Sequence, residues 1–393
     1  MPERGREAWI TGIGIVSCLG EGPDAHWLAL NEGKPRADTT TFAPYVVHPI
    51  ARIEFDKQIP KKGDQRQMEP WQRIGTYAAG LALDSAGAKG QAELLARMDM
   101  IVAAGGGERD LAVDGTILTG MPKAQNPDTF LNERLMSDLR PTLFLAQLSN
   151  LLAGNISIVH GVTGSSRTFM GEEAAGVDAV RIALCRITAG QSDIVLVGGA
   201  HNGERKDLLM LYEFGGFPFK GAYAPVWERG PQGGLALGSL GAFLVIEEAG
   251  HAQARGAKPL ARLSTVLSDR SRRNAGDVKA SLQRMWHKLQ LKSGEAAVIS
   301  GATGAEPATA EERDFLHDHP DVPVRATGSY VGHGFEPQFP LNVAIAAIAV
   351  NRGSLFPPAG GIERPMDGRL TQLVVTGVGH WRGEGLALVE AAR

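Results

Sequence analysis

The chain has 393 residues, 43% hydrophobic and 21% charged, with a formal net charge of −3. That is the ordinary globular mix, which excludes a disordered or fibrous chain, and 40 basic against 43 acidic residues argue against a nucleic-acid binder, which carries a basic excess. Two cysteines, Cys18 and Cys185, are too few for a disulfide framework or a four-thiolate zinc site.

Short apolar runs ending in glycine recur along the chain and predict strands buried on both faces. In order they are AWITGIGIV from Ala8, DMIVAAGGG from Asp99, DIVLVGGA from Asp193, AFLVIEEAG from Ala242, AAVISGATG from Ala296 and LVVTGVG from Leu373. Helical spacing is expected between them, at Trp71 to Ala86, Pro141 to Leu152, Ala174 to Thr188, Gly276 to Leu289 and Leu341 to Asn351. In the third, Val177, Val180, Ile182, Leu184 and Ile187 make most of the helix surface apolar, so it should lie deep in the molecule. The 50 glycines show no collagen period and point to tight turns and close backbone approaches.

A pattern of strand, glycine turn and antiparallel strand occurs twice. DIVLVGGA is followed after a long excursion by LGSLGAFLVIEEA, and QLVVTGVG almost at once by GEGLALVEAA. This predicts two similar βα halves, residues 1–248 and 249–393, the first carrying an insert over 201–238 that is rich in Gly, Pro and aromatics. An insert of that length is usually functional or interfacial. The opening residues lack a secretory signal, and the apolar run Val343 to Val350 falls far short of the roughly 20 residues that span a bilayer. A cytoplasmic protein is expected.

Five segments carry a resemblance. The opening AWITGIGIVSCLGEGPDAHWLALNEGK, then LLAGNISIVHGVTGSS, GQSDIVLVGGA, RGPQGGLALGSLGAFLVIEEAGHAQARGAK and ATGSYVGHGFEPQFPLNVAIAAIAVNRGSLFPP follow in the order found in the elongating β-ketoacyl-acyl-carrier-protein synthases. The chain resembles that family over essentially its whole length. The resemblance implies an α/β thiolase-like fold, with two halves of mixed five-stranded sheets in α-β-α-β-α layers. It implies no cofactor beyond the phosphopantetheine carried by acyl carrier protein, which is then the expected partner. It further implies a dimer, in which NISIVHG would be the strand that pairs across the two-fold axis and DTFLNERLMSDLRPT a loop reaching the other subunit.

The family's catalytic set is a Cys nucleophile and two His. A thiolate at a helix N-terminus takes the acyl group, and the histidines assist loss of CO2 and stabilise the enolate. Carried over position by position, the Cys falls on Glu173, the first His on Ala302 and the second on His333. Only His333 is retained. Gly304 and Glu306 stand at the two Thr positions that bind the pantetheine arm, Gly328 at the Lys position, and Val378 and His380 where the family has aromatics gating the acyl pocket. Neither Cys18 nor Cys185 can substitute by spacing.

Glu173 reads either as a cap of a buried helix or as a chemical group. The scaffold segments are kept while the reactive positions are changed, which points to a synthase homologue that has lost condensation and pairs with an intact synthase, as chain-length factors do in aromatic polyketide systems. The alternatives are a malonyl-ACP decarboxylase or other acyl-ACP transferase using His333 and Glu173, and an acyl-binding homodimer.

Overall fold

The computed structural model describes residues 5–139, 145 and 147–392. Its strands are β1 (Ala8–Ser17), β2 (Gly20–Glu21), β3 (Val47–His48), β4 (Asp99–Ala103), β5 (Ser166–Phe169), β6 (Ile194–His201), β7 (Leu237–Gly238), β8 (Leu240–Glu248), β9 (Ala261–Asp269), β10 (Ala296–Ser300), β11 (Val324–Ala326), β12 (Gln372–Val378) and β13 (Glu384–Glu390). The helices that pack on them are α1 (Pro70–Ser85), α2 (Leu151–His160), α3 (Glu173–Thr188), α4 (Lys206–Phe214), α5 (Asp277–Trp286), α6 (Ala308–His317) and α7 (Gln338–Arg352).

Both halves build the same sheet. In the first the order is β1-β8-β6-β4-β5, in the second β9-β13-β12-β10-β11. The pairings agree strand for strand: β1 with β8 and β8 with β6 are antiparallel, β6 with β4 and β4 with β5 parallel. Likewise β9 with β13 and β13 with β12 are antiparallel, β12 with β10 and β10 with β11 parallel. Hydrogen bonding runs on from one half to the other where Trp9 and Ile10 face Arg262 and Ala261. This is the layered α-β-α-β-α fold expected, with the two five-stranded sheets continuous.

Packing follows from the apolar faces. The side chains of α3 and α7 form one buried cluster with the inner faces of both sheets, including Val177, Val180, Phe339, Leu341 and Ile345. Helices α1 and α2 cover the outer face of the first sheet, and α5 and α6 that of the second. The two central helices are buried nearly all round, so glycine is needed where one crosses close to backbone: a Cβ on Gly176 would stand 2.3 Å from the Glu336 carbonyl oxygen.

Two expectations are overturned. NISIVHG is not a strand: Leu151–His160 is a helix, ended by Gly161 at φ 79°. Leu152, Ala153, Ile156 and His160 are buried at helical spacing, which overrides the strand preference of Ile156 and Ile158. The strand at the sheet's edge is instead β5, SRTF. The stretch expected as a loop from Asp128 is helical over Pro127–Ser137, with the Asn126 side chain accepting from the Thr129 N–H. Residues 140–144 and 146, which include part of the helix expected from Pro141, lie outside the described residues. Strands β5, β9 and β11 were not expected. Among the described residues no helix is long and apolar enough to cross a membrane.

Candidate functional site

Glu173 is the first residue of α3, and its carboxylate is buried at 4% exposure. It does not cap the helix. The N-cap residue is Glu172, no side chain caps the end, and Glu173 Oε1 turns instead toward two imidazoles. His333 Nε2 lies 2.7 Å from this oxygen and His380 Nδ1 2.9 Å from it, with the His380 backbone N–H at 3.3 Å. Its other oxygen, Oε2, is buried and takes no hydrogen bond.

Each partner is delivered by a turn. His333 sits between Gly332 at φ 70° and Gly334, just before α7, and its backbone is pinned by N–H to the Ala236 carbonyl at 2.7 Å and C=O to the Gly238 N–H at 2.9 Å. His380 occupies the β12–β13 hairpin, closed by Gly379 N–H to Gly383 C=O at 2.9 Å. Arg273 holds that hairpin, donating to the Gly379 carbonyl at 2.6 Å and pairing with Glu384 at 2.8 Å.

The electrostatics follow from this geometry. Burial pushes the Glu173 carboxyl up, but the hydrogen bonds from His333 and His380 outweigh it and hold the group below the usual carboxylate range. For His380 burial favours the neutral ring, and the hydrogen bond and charge of Glu173 outweigh it, so its pKa is raised. Glu336, buried near Glu172 and Glu173, is pushed up to about 7, first by burial and then by their negative charges.

The insert covers this cluster. Tyr212 on α4 stacks on Phe335 with ring centroids 4.8 Å apart, and Tyr212, Phe217 and Phe335 meet the His380 ring at 5.6, 4.9 and 5.5 Å. Beside it lies a cavity of about 440 Å³ lined by Glu172, His201, Tyr212, Phe335 and Glu336, with the Gly105–Glu108 stretch opposite.

The other positions singled out in the sequence lie apart from the carboxylate–imidazole contacts. Ala302 is buried beside Val378 in the cluster under α5 and α6, and its N–H goes to Ser300 Oγ at 3.0 Å. Gly304 takes φ 90°, and its N–H goes to Thr309 Oγ1 at 3.1 Å. Glu306 precedes α6, its Oε2 accepting from the Ala310 N–H at 2.9 Å. Glu172, His201, Tyr212, Phe335 and Glu336 were missed. The adjacent pair Glu172-Glu173 and the acid three residues beyond His333 were the available signals; nothing local marked His201 or Tyr212.

A family model described as beta-ketoacyl synthase, N-terminal domain, matches residues 6–213. The chain is 28% identical over 273 residues to 3-oxoacyl-(acyl-carrier-protein) synthase 2 of Vibrio harveyi, an alignment taking in 66% of this chain and only 61% of that relative's length. It is 26% identical over 387 residues to the tetracenomycin polyketide synthase ketoacyl synthase beta subunit of Streptomyces glaucescens, covering 93% of this chain and 90% of the relative. Among solved structures, the ishigamide ketosynthase/chain length factor superposes with a TM-score of 0.78 at 18% identity, covering 99% of this chain and 100% of that one. Sequence match and doubled sheet agree: the chain belongs to the beta-ketoacyl synthase family.

Proposed function

We propose that this chain is a non-condensing β-ketoacyl synthase homologue of fatty-acid or polyketide biosynthesis, acting as the partner subunit of a Cys-bearing synthase. The observation that carries this reading is the buried contact of Glu173 with His333. At the place of the acyl-accepting thiol stands an ionised carboxylate, and the retained imidazole is spent on it. Attack by a carboxylate on a thioester would give an anhydride, which cannot store an acyl group as a thioester does. With Ala302 at the other His position, nothing there donates a proton or hydrogen bond to a developing enolate.

A partner role also fits the sheet edge. Among the described residues β5 pairs only with β4, leaving its other edge open, and Met170, which directly follows it in sequence, is 66% exposed. On this reading a synthase subunit pairs there, and acyl carrier protein delivers chains to the intact site. Co-expression with a Cys-bearing synthase of the same pathway should yield a 1:1 complex whose product lengths change when this subunit is swapped. Failure to co-purify, together with unchanged products, overturns the proposal.

The 2.7 Å Glu173–His333 contact also favours a second reading, decarboxylation of malonyl-ACP by this pair. Against it stand the charges of Glu172 and Glu173, which repel a malonyl carboxylate. CO2 release that disappears in His333→Ala would establish that reading in place of the first.

A further inference from the structure

Glu172 and Glu173 begin α3 side by side, and His380 reaches them from the β12–β13 hairpin. One donor atom from each lies within 4.8 Å of the other two. Among the described residues no other group of three or more such side chains converges in this way. Glu173 and His380 are buried, while Glu172 is 33% exposed at the edge of the cavity.

Two features show that this cluster does not satisfy itself. Glu173 Oε2 is buried with no hydrogen-bond partner, an expensive state for a carboxylate oxygen. His380 Nε2 faces Glu172 Oε1 across 3.9 Å, too far for a hydrogen bond. The ring is also already aimed. Its Nδ1 stands 2.9 Å from Glu173 Oε1, a spacing that one ion with bonds of about 2.0–2.2 Å to each can bridge.

We propose that Glu172, Glu173 and His380 bind one divalent transition-metal ion of the zinc class. One imidazole and two carboxylates suit Zn²⁺, whereas Mg²⁺ prefers oxygen donors and retained water. A fourth position would open toward the cavity, where His201 Nε2 is buried without a partner and Glu336 adds a further carboxyl. The ion would offset the negative charge gathered at this end of α3, tie the hairpin to the helix and leave the cavity side open to a small oxygen ligand. This goes beyond the partner role and is read on the isolated chain, so the two fail separately.

The test uses the full chain, stripped with a chelator and dialysed, titrated with ZnCl2 by calorimetry. One saturable site per chain is expected. Co²⁺ should give a visible d–d band at the same stoichiometry, and Mg²⁺ no heat of binding. Glu172→Gln, at a partly exposed side chain, should keep the fold and weaken Zn²⁺ binding by at least about tenfold, as should His380→Gln. His251→Gln, at a remote histidine, should leave it unchanged. Absence of a saturable site, or full affinity in a folded Glu172→Gln variant, overturns the proposal.

Discussion

Glu173 Oε1 accepts a hydrogen bond from His333 Nε2 at 2.7 Å, and this contact joins the two halves of the molecule. Glu173 starts the central helix of the first half, and His333 precedes the central helix of the second. His380, from the second half's hairpin, shares the same oxygen. These contacts make Glu173 an electrostatic clasp between the start of α3 and the turn that precedes α7.

Loss of this clasp should be felt in stability. Glu173→Ala leaves two buried imidazoles without their acceptor and is expected to cost about 2–4 kcal/mol in urea unfolding. Glu173→Gln keeps an acceptor oxygen and should cost less. A Glu173→Ala protein as stable as the parent would mean the contact contributes nothing.

The pH dependence has a definite sign. Glu173, depressed in the fold, contributes stability above the usual carboxylate pKa, and this is lost as pH falls through its lower folded value. His380, raised, contributes fully below about 6.5 and loses that contribution as pH rises through its folded pKa. Glu336 moves from 4.5 to about 7, so it too costs stability as pH climbs across that interval. Melting temperature should therefore be highest on the acid side of neutrality and fall toward pH 8. Glu336→Gln should flatten the slope between about pH 5 and 7, where the ionising carboxyl costs on the order of 3 kcal/mol. An unchanged slope in that variant removes this assignment.

Gly176→Ala tests the approach of the two central helices. The added methyl would stand 2.3 Å from the Glu336 carbonyl oxygen, which lies on backbone and cannot swing aside. About 1–3 kcal/mol of destabilisation is expected, with a weakened Glu173–His333 contact visible as a shifted His333 ring resonance. A neutral result would show that α7 can retreat freely.

The sheet edge should behave as an interface. Met170→Lys, directly after β5, places a charge at a side chain already 66% exposed, so stability should change by less than about 0.5 kcal/mol. Under the proposed function, association with a Cys-bearing synthase should be lost. Intact association with this variant would move the interface elsewhere.

The sequence alone determined most of the alternating strands and helices, the doubled strand pattern and the deep burial of α3. Each is written in local periodicity or glycine turns. It misread NISIVHG, because β-branched residues favour strands and only tertiary burial of one helical face decides otherwise. It placed Glu173 at a helix start but not its partners. His380 lies 207 residues away on a hairpin tip, and hydrophobic patterning says which face of an element is buried, not which tip folds over which helix end. That docking was settled by the packing of the two halves, which brought two imidazoles to one carboxylate oxygen.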